Sequence, residues 1–143
     1  MDKALRYFGI ARKAGFLELG EENTGVAVRA GKARVVLLAA DASDNAKRRA
    51  DGFLYGRNIP LLRLPHTKEE ISLAMGKGGC SMAAITDIGL ASSLVSALAT
   101  EDPERYSEAA EQLAARNDRV QQRKAGANAN ERNKKTGKRR TAI

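Results

Sequence analysis

Leu19-Gly20-Glu21-Glu22-Asn23-Thr24, a helix-like run to Gly31, and then Lys32-Ala33-Arg34-Val35-Val36-Leu37-Leu38-Ala39-Ala40-Asp41-Ala42-Ser43-Asp44 form the stretch on which the fold turns. It reads as turn, helix, buried strand and polar strand end. Residues Val35 to Ala40 are continuously apolar rather than alternating. That pattern suits a strand covered by helices on both faces, although a run this short leaves a buried helix segment open. Gly20 and Gly31 bracket the intervening helix, and Glu21 and Glu22 in its first turn complement its dipole.

Outward from this unit the same alternation continues. Before it, Ala4, Leu5, Phe8, Ala11 and Ala14 fall at helical spacing and Gly15 ends the run. Phe16 to Leu19 reads as a short strand. After it, Asp41 to Asn45 is rich in N-cap residues and opens a helix over 44–56, with Lys47, Arg48 and Arg49 near its start. Ile59 to Leu64 reads as a second core strand, with Pro60 where a missing donor is tolerated. Thr67 caps a further helix, Gly76 to Cys80 is a loop, Met82 to Asp87 is a third buried strand, and Gly89 begins a helix to Ala99. Strands alternating with helices predict an α/β protein, a three-layer α/β/α sandwich with a small mixed sheet.

The C-terminal part differs. Asp102-Pro103-Glu104 opens a polar, Ala-rich helix over 103–124. Its apolar stripe is thin (Tyr106, Ala109, Ala110, Leu113 and Val120), so it needs a partner surface to be stable. From Gly126 the chain is rich in Asn, Lys and Arg and reads as disordered. The expected organisation is a domain over 1–100, a C-terminal helix over 101–125 and a basic tail over 126–143.

With 143 residues, one domain plus an extension is expected. Apolar residues make up 43% of the chain and aromatic residues 4%, so the core must be aliphatic and Ala-rich. One cysteine excludes an internal disulfide and a multi-cysteine zinc site and fits a reducing cytoplasm. No apolar signal core or membrane-length run is present, which predicts a cytoplasmic chain without a membrane partner. From Gln121 onward, eight Lys or Arg stand against one Glu, a net +7 in a chain of net +8. The body is nearly neutral and the tail strongly basic, as expected of an arm for a polyanion, most often nucleic acid. The tail has no aromatic residue beside its charges, which argues against base stacking as its main mode.

No residue set points to catalysis. His66 stands alone in a loop, and Cys80 has no cysteine partner. Asp41 and Asp87 follow buried strands, where helix capping accounts for them. The Gly76-Lys77-Gly78-Gly79 loop lacks the glycine frame and the Lys-Ser/Thr pair of a nucleotide loop, and it lies between a helix and a strand. Its glycines do allow backbone to approach RNA phosphates. No enzyme activity, cofactor or metal is expected.

Gly9 to Gly15, Leu19 to Glu22, Gly31 to Ala40, Asp41 to Asn45 and Met75 to Gly78, in this order and spacing, resemble the ribosomal L-seven-Ae-type kink-turn RNA-binding family. The bacterial YlxQ-like branch is the nearest. The resemblance spans residues 3–99. It implies an RNA site at the start of the second helix and the loop before the last strand, where a Gly-x-Asn-Glu turn meets guanines of sheared G·A pairs. In this chain Glu22 stands at the family's Asn position and Asn23 at its Glu position. Val26 stands where archaeal members usually have Lys, and Gly78 to Ser81 lacks the basic residues of the bacterial branch.

The resemblance therefore implies a non-catalytic, structured-RNA-binding protein, ribosome-associated and monomeric. Gly20, Glu21, Glu22 and Asn23 are expected to face RNA, with Arg12, Lys13, Lys32, Lys47, Lys77 and Gly78 as backbone contacts. The alternative is a protein-interaction module in ribosome assembly or translation, with the RNA face repurposed.

Overall fold

The computed structural model describes residues 2–76 and 80–136, with 127–136 as backbone only. Helix α1 (Lys3–Ala14) starts where the Asp2 side chain accepts from the Ala4 amide at 2.7 Å, and stops at Gly15, whose φ of 81° is left-handed. Strand β1 (Leu17–Leu19), helix α2 (Glu21–Arg29) and strand β2 (Val35–Leu38) follow. Next come α3 (Asp44–Leu54), β3 (Leu61–Arg63), α4 (Lys68–Met75), β4 (Met82–Ile85) and α5 (Ile88–Glu101). The chain ends in α6 (Pro103–Thr136).

The four strands form one mixed sheet in the order β1-β4-β2-β3. Strands β2 and β3 are parallel, with Val36 opposite Leu61, because helix α3 carries the chain back across the sheet between them. Strand β4 inserts between β1 and β2 and runs antiparallel to both. The two central strands are buried at every position, as a strand covered on both faces requires. Helices α2 and α3 pack together on one side, and α1 lies between α4 and α5 on the other. The core is aliphatic, built around Leu37, Leu38, Ile85 and Leu94 with Phe8.

Helix α6 has its partner surface. It packs along α5, burying Tyr106, Ala109 and Leu113. The Tyr106 hydroxyl donates to the Arg63 carbonyl at 2.5 Å, and Gln112 reaches Asn58 at 3.2 Å, so the helix runs along β3. The helix also extends past residue 124 to Thr136, through the start of the segment expected to be disordered. A helix already anchored gains one hydrogen bond per added residue, and Gly126 is the lone glycine in its way. The remainder of that tail, 137–143, lies outside the described residues, as do Lys77 and Gly78.

The sheet has two distinct ends. At one, Gly20 N donates to Met82 O (2.8 Å), Ala39 N to Ser81 O (2.9 Å) and Ala40 N to His66 O (2.7 Å). These bonds gather the turns after β1, β2 and β3 around the entry to β4. At the other, Arg34 N donates to Ile85 O and Thr86 N to Phe16 O.

Candidate nucleic-acid interface

The Gly20 end carries an exposed helix start without its own cap. Asp2, Ser43, Thr67, Asp87 and Asp102 each accept a first-turn amide for α1, α3, α4, α5 and α6. Helix α2 begins at Gly20 with no side-chain acceptor. Its first backbone bond runs from Thr24 N to Gly20 O at 3.0 Å. The amides of Glu21, Glu22 and Asn23 thus precede the helical ladder and are donors aimed out of the helix. They carry the positive end of its dipole.

Gly20 has φ 94° and ψ 161°, a region that only glycine occupies without strain. A Cβ there would meet no atom within 4 Å, so backbone geometry rather than crowding demands glycine. Behind the tip the helix is held tightly. Thr24 and Gly25 are buried, and a Cβ on Gly25 would come within 2.9 Å of the Phe53 ring of α3.

The tip side chains are arranged differently from one another. Asn23 Nδ2 donates to the Leu19 carbonyl at 2.9 Å, which orients the amide and leaves Oδ1 as an acceptor. Glu21 is paired at 2.8 Å with Arg49 of α3. Glu22 is exposed and enters no ion pair among the described residues. The α2 tip is therefore continuous with the basic start of α3. There Lys47 pairs with Asp51 at 3.0 Å, and Arg48 donates to Asn45. Arg63 holds the connecting loop by donating to the carbonyls of Ala39, Ala40 and Ala42 at 3.1–3.2 Å.

Gly20, Glu21, Glu22 and Asn23 thus share one surface, which Arg49 joins through its pair with Glu21, whereas Lys47, two residues earlier on α3, pairs along its own helix with Asp51. The Lys-Arg-Arg run was visible in the sequence, but its pairing with Glu21 depends on α2 packing against α3. The other expected contacts lie elsewhere. Arg12 donates to the Met75 carbonyl at the end of α4, and with Lys13 it lines a groove of about 310 Å³ between α1 and α4. Lys32 follows the far end of α2, beyond a helix about 13 Å long, beside Arg34.

The residues considered for chemistry are structural. His66 is buried and its Nε2 lies 3.0 Å from Asp2 Oδ2, tying the start of α1 to the end of β3. Burial acts to raise the Asp2 pKa, but the hydrogen bonds from His66 and the Ala4 amide outweigh it and hold it below its ordinary value. Asp41 accepts the Lys68 amide at 2.9 Å and Asp87 the Leu90 amide at 2.9 Å. Among the described residues no group of His, Cys, Asp and Glu could hold a metal ion. Nor is any helix among them long and apolar enough to cross a membrane.

A central mixed sheet between two helical layers, with an open helix start at one end, defines the L-seven-Ae-type fold. A solved 15.5 kD RNA-binding protein of Giardia lamblia has this fold (TM-score 0.55, 18% identity, 68% of this chain and 83% of that one). A Bacillus halodurans protein described as of unknown function is also similar (TM-score 0.63, 26% identity, 68% and 97%). No protein-family model matches the chain. The RNA-binding protein YlxQ of Enterococcus faecium is 36% identical over 75 residues, which are 52% of this chain and 72% of that protein. This chain belongs to the YlxQ family within the L-seven-Ae class.

Proposed function

We propose that this protein binds structured RNA and does no covalent chemistry, with the α2 tip as its recognition element and a kink-turn-like internal loop, of ribosomal origin, as its target. The observation that carries this reading is the uncapped, glycine-hinged start of α2, whose amides await an external acceptor. Phosphate oxygens suit such donors. The Asn23 Oδ1 and the Glu22 carboxylate are acceptors for guanine N–H groups. Pairing of Glu21 with Arg49 reduces the negative charge that an approaching RNA would meet. The relative and the fold neighbour named as RNA-binding proteins support the same partner class.

The test is binding of the full chain to RNA with a sheared G·A internal loop and to a fully paired duplex of equal length. Asn23→Ala is expected to lower affinity for the internal-loop RNA by about tenfold, the loss of one good polar base contact, and to leave the duplex unaffected. Equal affinity of native protein for both RNAs would overturn the proposal. A protein partner lost in Asn23→Ala with no change in RNA binding would favour an interaction module instead.

A further inference from the structure

The Arg34 end of the sheet carries a second surface. Helix α6 passes the start of β2 and the start of α5 there, leaving a groove of about 300 Å³ lined by Arg34, Ile88, Arg116, Arg119, Val120 and Arg123. Arg116, Arg119 and Arg123 recur on one face of α6 around Val120, the apolar member of that stripe, which is half-buried against the core. Arg34 enters from across the groove, with exposed Lys32 two residues before it. The ion pairs among the described residues involve none of these four guanidinium groups. Of the carboxylates next to groove residues in sequence, Asp87 is committed to the Leu90 amide and Asp118 enters none of those ion pairs. Four like charges around one groove repel unless an anion joins them.

We infer that this groove is a second RNA-contact surface that grips the phosphate backbone of a strand away from the α2 tip. Guanidinium forks match phosphate geometry in two-pronged hydrogen bonds. Arg116 and Arg123 stand about 10 Å apart along α6, enough to follow successive phosphates of one strand. Lys124 adjoins the array in sequence, and six more Lys or Arg follow it between 132 and 140. Two contact surfaces at opposite ends of the sheet would hold two segments of one bent RNA. This inference takes the identity of the polyanion from the reading above and is otherwise independent of the α2 tip.

The experiment titrates the full chain with a fully paired RNA duplex lacking any internal loop, over a series of salt concentrations. The variant with Arg34, Arg116, Arg119 and Arg123 all changed to Gln is expected to bind at least about tenfold more weakly, with a salt slope shallower by about 3. The matching Arg→Lys variant keeps the slope, which separates phosphate contact from packing of α6. An unchanged slope in the Gln variant overturns the inference. So does equal loss in the Lys variant, or displacement of the RNA by poly-glutamate at equal charge. Failure of the α2-tip reading is seen separately, in the ratio of internal-loop to duplex affinity, which these arginine changes leave alone.

Discussion

Gly20 joins a backbone conformation open only to glycine to the proposed recognition tip. Its positive φ places the first amides of α2 outward while its own N–H stays bonded to the Met82 carbonyl. Gly20→Ala forces an L residue into that region at a cost of about 1–3 kcal/mol. The expected outcome is a lowered denaturation midpoint, together with weaker binding to internal-loop RNA because the tip re-aims. Urea melts and RNA titration check both; native stability in the variant would contradict the assigned geometry. Asp2 provides a pH signature. Its folded pKa lies below the ordinary 3.8, so its ionised form stabilises the fold above that value, and the contribution is lost as the pH falls through the folded value. Asp2→Asn keeps an oxygen to cap α1 but cannot titrate. Thermal melts are expected to find the variant less stable at neutral pH and the difference shrinking below about pH 4. The glycine turn was legible from residue order alone. The pairing of Asp2 with His66 was not, because it joins groups far apart in sequence.

Helix α6 belongs to the scale of elements. Its apolar stripe is too sparse to sustain an isolated helix, and tertiary packing supplies the difference. Leu113 is fully buried against α5, and Tyr106 is anchored to the β3 backbone. Arg105 lies 5.2 Å from the Tyr106 ring and donates to the same Arg63 carbonyl. Leu113→Ala is expected to cost about 2–5 kcal/mol and to raise amide exchange along α6 before the rest of the chain. Leu73→Ala, at a side chain 79% exposed, is the comparison and is expected to change stability by less than about 0.5 kcal/mol. Denaturant melts and hydrogen exchange read both. Arg63 shows how elements cooperate: its guanidinium holds the loop after β2 while its carbonyl receives α6.

Across the whole molecule, charge is distributed unevenly. Residues 126–143 carry six Lys or Arg and one Glu, more than half of the net charge of +8. Removing them is expected to weaken RNA binding and to make its salt slope shallower by about 4. An unchanged slope would exclude the tail from the complex. Hydrophobic patterning, glycine punctuation and N-cap residues by themselves determined the alternation of strands and helices and the glycine turn before α2, because each acts over a few neighbouring residues. They also pointed to a cationic C-terminus, since charge adds up without regard to contacts. Only the tertiary structure decided that β4 lies between β1 and β2, that Arg49 meets Glu21, that Lys32 stands at the opposite end of α2 from the tip, and that Arg34 faces three arginines of α6. Those relations depend on which surfaces bury each other, and that is a property of the packed chain rather than of any local run of residues.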